Sequence, residues 1–121
     1  MMKILVVDDE KHIRLLYSEE LKADGYEVIT ADSGYELIET IAEEKPDLVV
    51  LDIKMVAYNG LDILQDIRNH FYDLPVILST AYDSFKDDMK SIAADFYVVK
   101  SFDLTELKKK IAIAIGTELP G

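Results

Sequence analysis

The chain has 121 residues, of which 50% are hydrophobic and 31% are charged, a composition typical of one globular domain, expected over residues 1–121. Its 13 basic and 24 acidic side chains give a formal net charge of −11, which disfavours direct nucleic-acid binding. Cysteine is absent, no apolar run approaches a membrane span and the N-terminus lacks a signal peptide, so we expect a cytoplasmic protein without disulfides or membrane insertion.

Short apolar runs alternate along the chain with segments of helical periodicity. The apolar runs predict five strands, at residues 4–7, 26–30, 48–51, 76–79 and 96–99. The periodic segments predict five helices, the first over 11–23 and the others marked by apolar residues at 37–41, 61–67, 85–92 and 104–115.

Several residues are typical of helix ends. Gly25 should end the first helix. Ser33 and Glu36 have the spacing of a capping box at the start of the second helix, and Asp103 and Glu106 have it at the start of the last.

Five strands that alternate with five helices predict an α/β fold with a mainly parallel sheet covered on both faces. Unbroken apolar strands support this, because strands of such a sheet are buried on both sides. Right-handed crossovers leave few topologies, and the doubly wound order 2-1-3-4-5 is the leading one.

Polar side chains stand where the predicted strands end. Asp8 and Asp9 follow the first strand, and Asp52 follows the third. These strands are neighbours in the order 2-1-3, so the three carboxylates should share one crevice and favour a hard cation such as Mg²⁺. Thr80 and Lys100 end the fourth and fifth strands, and should add a hydroxyl and an ammonium. Each residue alone has an ordinary structural role, but together they predict a site for a transferred phosphoryl group.

Four segments carry a resemblance to a known family: VVDDE at 6–10, LVVLDIKM at 48–55, LSTAY at 78–82 and YVVKS at 97–101. In this order and spacing they resemble the receiver domain of bacterial response regulators, from about residue 3 to residue 115. The resemblance implies a flavodoxin-like domain that accepts a phosphoryl group from a histidine kinase or a histidine phosphotransfer protein, in two-component or phosphorelay signalling. It also implies that the domain is not a conventional enzyme, but catalyses its own Mg²⁺-dependent phosphorylation and slow dephosphorylation.

The resemblance further implies a Mg²⁺ site, in which Mn²⁺ could substitute. Asp52 corresponds to the phosphoacceptor, which also ligates the metal. Asp9 corresponds to the direct metal ligand, and Asp8 to an acidic neighbour that acts through water. The backbone carbonyl of Lys54 corresponds to the third protein ligand.

Three other residues correspond to the switch of the family. Thr80 corresponds to the hydroxyl that turns toward the phosphoryl group, Lys100 to the lysine that pairs with it, and Tyr97 to the aromatic residue that changes rotamer. The resemblance implies a signal on the face made by the fourth helix, fifth strand and fifth helix, where a downstream protein or a second copy of the chain would bind.

The sequence departs from the family in places. Ser101 stands where similar domains carry a proline after a cis bond, and we predict a trans Lys100–Ser101 bond because a non-proline cis bond costs about 2.5–4 kcal/mol. The loop 55–60 lacks its usual proline, and Tyr82 is expected to screen the site from water. These departures keep open an alternative, a receiver-shaped binding module that acts independently of phosphorylation.

Two enzyme or cofactor classes fit less well. A haloacid dehalogenase phosphatase needs an aspartate where Lys54 stands, two residues past Asp52. A flavodoxin needs a phosphate-binding loop after the first strand, where the acidic residues 8–10 would repel phosphate.

Overall fold

The structure is a computed structural model that describes residues 2–52, 59–80, 94–100 and 103–116. Its five strands form one parallel sheet in the order β2-β1-β3-β4-β5, which confirms the predicted topology. The strands are β1 (Lys3–Val7), β2 (Glu27–Ala31), β3 (Leu48–Asp52), β4 (Val76–Thr80) and β5 (Phe96–Val99).

Four helices lie within the described residues. They are α1 (Lys11–Ala23), α2 (Leu37–Glu44), α3 (Gly60–His70) and α4 (Thr105–Ala114), so α4 is the predicted last helix. The helix predicted around 85–92 falls outside the described residues. None of the helices described is long and apolar enough to cross a membrane.

The core has one layer on each face of the sheet. Alternate residues of a strand point to opposite faces, so Ile4 and Val6 pack in the layer of α1 and α4, while Leu5 and Val7 pack in the layer of α2 and α3. All five residues of β3 are buried. The unbroken apolar runs of the sequence therefore reflect strands covered on both sides.

The observed helix ends agree only in part with those predicted from the sequence. Gly25 adopts a φ of +96° just past α1, and its N–H donates to the carbonyl of Lys22, as a helix-ending glycine does. The prediction of a capping box at Ser33 and Glu36 is wrong. Ser33 Oγ accepts from the N–H of Tyr35, and Glu36 has a left-handed φ of +52°, so it cannot be the third residue of a helix. The chain turns once more before α2.

Asp103 does cap α4. Its Oδ1 accepts from the N–H of Thr105 at 3.0 Å and from the Thr105 hydroxyl at 2.6 Å, at the first residue of the helix. These bonds satisfy one of the N–H groups that a helix leaves unpaired at its start.

A charged contact joins the amino ends of β4 and β5. The guanidinium of Arg68, near the end of α3, donates to the carboxylate of Asp95 at 2.7 Å and to the carbonyl of Leu74. The same carboxylate oxygen accepts from the N–H of Val76, the first residue of β4, at 2.8 Å. This contact lies at the amino edge of the sheet, opposite the edge where the predicted site residues lie.

Candidate functional site

Three carboxylates meet at the carboxyl edge of the sheet. Asp8 directly follows β1, and Asp52 is the last residue of β3, which pairs with β1 through Val7 and Leu51. Asp8 and Asp52 are buried and Asp9 is half-buried, and each offers an oxygen within 4.8 Å of the others. The crevice predicted from the strand ends is therefore present. Its all-oxygen donor set fits Mg²⁺, a hard cation held by one or two carboxylates and by waters.

The ammonium of Lys100 lies between two of these carboxylates. Its Nζ is 2.7 Å from Asp8 Oδ2 and 3.3 Å from Asp52 Oδ2. Burial disfavours the charged lysine and lowers its pKa, but the hydrogen bond to Asp8 and the charges of both aspartates act the other way, so the pKa is raised overall. Lys100 is therefore an ammonium at neutral pH and offsets part of the acidic charge.

The alternation of the strands explains why these side chains meet. Asp8 continues the positions of Ile4 and Val6, which face α1 and α4. The same two-residue spacing applies to the other strands, whose residues Leu48, Val50, Ile77 and Val98 belong to this layer. Each strand then continues, two residues further on, to Asp52, Ser79 or Lys100. The site therefore lies at one end of the layer between the sheet and α1 with α4.

A buried pair of hydroxyls lies beneath the charged groups. The Tyr17 hydroxyl is 3.3 Å from Ser79 Oγ, and both residues are only 1% exposed. Burial is the largest influence on the pKa of Tyr17 and raises it, as do the charges of Asp8 and Asp52. The bond to Ser79 and the charge of Lys100 lower the pKa, but it remains raised overall.

Tyr17 was not among the residues singled out from the sequence; it lies in the helix predicted over 11–23. The available signal was a tyrosine at a buried helix position, since a buried tyrosine hydroxyl needs a hydrogen-bond partner. Ser79, at the end of an otherwise apolar strand, was the matching signal.

The turn after β1 is held by its own hydrogen bonds. Asp8 Oδ1 accepts from the N–H of Glu10 at 2.9 Å, and the carbonyl of Asp8 accepts from Arg14 Nη1 at 2.7 Å. The N–H of Asp8 donates to the carbonyl of Ala31 in β2 at 3.1 Å. These contacts fix the Asp8 carboxylate before any ligand binds, and Arg14 is a contributor that the sequence did not single out.

The remaining predicted residues divide into two groups. Tyr97 in β5 is half-buried on the opposite face, against the layer of α2 and α3. Thr80 ends β4 in register with Val99. The Thr80 side chain, together with residues 54, 82 and 101, falls outside the described part of the chain, so the predictions on them, including the trans bond after Lys100, stay predictions.

Comparison with known proteins agrees with this geometry. Residues 4–112 match the family model of the response regulator receiver domain. A crystal structure of the response regulator TrrA from Thermotoga maritima in complex with Mg²⁺-BeF is 46% identical, with a TM-score of 0.90 over 94% of this chain and 99% of that chain.

Two further structures are similar. TrrA in complex with the histidine kinase ThkA is 47% identical, with a TM-score of 0.89 over 95% of this chain and 99% of that chain. A response regulator receiver domain protein from Clostridium thermocellum is 32% identical, with a TM-score of 0.87 over 96% of this chain and 95% of that chain. With the carboxylates and the lysine at the carboxyl edge of an order 2-1-3-4-5 sheet, these matches show that the chain belongs to the receiver domain family of two-component response regulators.

Proposed function

We propose that the protein is a phosphorylation switch in which Asp52 accepts a phosphoryl group from a histidine kinase or a histidine phosphotransfer protein. The observation that carries this proposal is the placement of Asp52, a buried carboxylate beside the ammonium of Lys100 and within 4.8 Å of oxygens of Asp8 and Asp9. The kinase complex of TrrA supports the partner, since that protein is 47% identical to this chain.

The chemistry requires a nucleophile and charge neutralisation. A carboxylate oxygen of Asp52 attacks phosphorus in line, the new O–P bond forms, and the P–N bond to the donor histidine breaks with its electron pair left on the imidazole. Asp9, Asp52 and the Lys54 carbonyl would hold Mg²⁺ directly, and Asp8 would act through water. The bound ion supplies neutralisation of the charge on the transferring group. The Mg²⁺-BeF complex of TrrA supports this choice of metal.

Lys100 has the second electrostatic role. In the unphosphorylated protein it neutralises Asp8 and Asp52, at 2.7 and 3.3 Å from their oxygens. On phosphorylation it would pair with a phosphoryl oxygen instead. A lysine suits this exchange, because its compact charge on a flexible stem can change partners at small cost.

The signal would arise from about 1.5 to 2 added negative charges at Asp52. Thr80 and Lys100 would be drawn toward the phosphoryl group, and Tyr97 would change rotamer behind them. The surface expected to change comprises β5, α4 and the helix predicted before β5. Val99 and Ile113 are exposed apolar residues on β5 and α4, and we expect an effector or a second copy to bind on that surface.

The test is incorporation of phosphate from a small donor. The protein is incubated with Mg²⁺ and phosphoramidate or acetyl phosphate, and its intact mass is measured. We expect an acid-stable, base-labile mass increase of one phosphoryl group that Asp52→Asn abolishes. Asp62→Asn is the matched control, because Asp62 is an exposed aspartate in the first turn of α3, away from the site.

Failure of the intact protein would contradict the proposal. If neither phosphoryl donor modifies it and beryllofluoride with Mg²⁺ leaves its spectra unchanged, the binding module that acts independently of phosphorylation becomes the better interpretation. Modification that persists in Asp52→Asn would instead move the phosphoacceptor to another residue.

A further inference from the structure

The hydroxyl pair of Tyr17 and Ser79 is unusual for its surroundings. The residues are 62 positions apart, and the pair lies in the layer formed by apolar residues of α1, α4 and the sheet. Replacing both partners of a buried neutral hydrogen bond by apolar groups is often nearly neutral for stability. Packing of this layer therefore does not by itself require the two hydroxyls.

The position of the pair connects it to the site. Ser79 is the register partner of Asp52 in the neighbouring strand, so their side chains leave the sheet on the same face. Ser79 is also the residue before Thr80. Tyr17 projects from α1 and its hydroxyl reaches Ser79, where the charges of Lys100, Asp8 and Asp52 act on it. The bond thus ties the end of β4 to α1 directly beside the phosphoacceptor.

We propose that Tyr17 and Ser79 are positioning residues for phosphoryl transfer: the bond between their hydroxyls fixes the end of β4 beside Asp52, and so keeps Asp52 and Lys100 in the geometry that the reaction needs. This inference rests on the proposed function. The reaction is sensitive to such a support because small displacements of reacting groups slow a transfer strongly. No role as metal ligand or phosphoryl-binding group is assigned to either hydroxyl, so both would act through Asp52 and Lys100.

Single and double variants measure the effect. Tyr17→Phe keeps the ring and removes the hydroxyl, and Ser79→Ala removes the other. At saturating Mg²⁺ we expect each to lower the rate constant of phosphorylation by phosphoramidate about three- to tenfold, the size of effect that one neutral hydrogen bond supplies. The double variant should be no slower than either single one, because both remove the same bond.

Two controls separate positioning from general damage. Tyr26→Phe changes a half-buried tyrosine of the same core layer, before β2 and away from the site, and should leave the rate unchanged. Every rate is compared at saturating Mg²⁺, so a change in the Mg²⁺ affinity of a variant does not enter the comparison. Denaturation of the double variant should match wild type, because no hydroxyl is left without a partner.

Each other outcome overturns the inference. Rates equal to wild type in Tyr17→Phe and Ser79→Ala refute it while leaving the proposed function intact. Additive losses in the double variant show two independent roles, and a parallel loss of stability in the double variant shows a structural role. A wild-type protein that takes up no phosphoryl group refutes the proposed function itself, and this inference with it.

Discussion

Replacing Lys100 by methionine removes the ammonium between two buried carboxylates while keeping a side chain of similar length. The contacts of 2.7 and 3.3 Å correspond to about 6 and 5 kcal/mol of attraction at an effective dielectric of about 20. Desolvation of the three groups offsets most of this, and removing one partner of a buried ion pair costs about 3–5 kcal/mol. We expect the free energy of unfolding to fall by that amount.

The matched control is Lys108→Met. Lys108 also lies between two carboxylates, at 3.5 Å from Glu20 and 3.4 Å from Asp24, but its side chain is 30% exposed against 11% for Lys100. Solvent screens these pairs, so the control should lose less than about 1 kcal/mol. Each variant therefore removes a lysine that lies between two carboxylates, and the two lysines differ in burial.

The assay is urea denaturation at neutral pH with a chelator. The folded pKa of Lys100 is raised, so its contribution is fully present below about pH 10.4 and is lost only as the pH rises through the folded pKa. Neutral pH therefore reports the whole effect. Added Mg²⁺ should raise the midpoint more in Lys100→Met than in wild type, because no lysine competes for the carboxylates. If Lys100→Met loses no more stability than Lys108→Met, burial does not strengthen this ion pair and the reasoning is wrong.

Three further predictions concern the metal site, the start of α4 and a turn. Asp9→Asn should weaken Mg²⁺ binding about tenfold or more in calorimetric titration, whereas Asp62→Asn should not. Asp103→Ala should lower the melting temperature at neutral pH. The hydrogen bonds from Thr105 lower the pKa of Asp103 in the folded protein. The difference in melting temperature between variant and wild type is therefore fully present above pH 3.8, and should vanish as the pH falls through the folded pKa. Gly25→Ala should lower the free energy of unfolding by about 1–2 kcal/mol in urea denaturation, because φ is +96°. A steric clash does not contribute, since no atom lies within 4 Å of the added Cβ. A smaller loss would show that the turn relaxes.

The sheet and the acidic crevice were predictable because both depend on short patterns. Unbroken apolar runs identify buried parallel strands, and a residue at the end of such a strand has a known edge and face. That is why Asp8, Asp52 and Lys100 could be placed together from the sequence. What the pattern could not decide is the pairing within the crevice, where Lys100 lies closer to Asp8 than to Asp52.

The features that were not predicted from the sequence depend on how the helices pack on the sheet or on a single backbone angle. The bond from Tyr17 to Ser79 requires the Tyr17 side chain to reach from α1 to β4, which no local pattern encodes. The start of α2 depends on Glu36 adopting a left-handed conformation, an uncommon state for a residue with a side chain. The spacing of Ser33 and Glu36 matched a capping box, but the turn left no helix there to cap.

The contact of Arg68 and Asp95 bears on the register of β4 and β5 at the amino edge of the sheet. At the amino edge, Asp95 joins α3 and β4 through bonds that need neither metal nor phosphate. A slip of β4 against β5 by one residue would break these bonds and reverse the faces of all following side chains. We therefore expect the pairing register of β4 and β5 to stay unchanged when groups at the opposite edge rearrange.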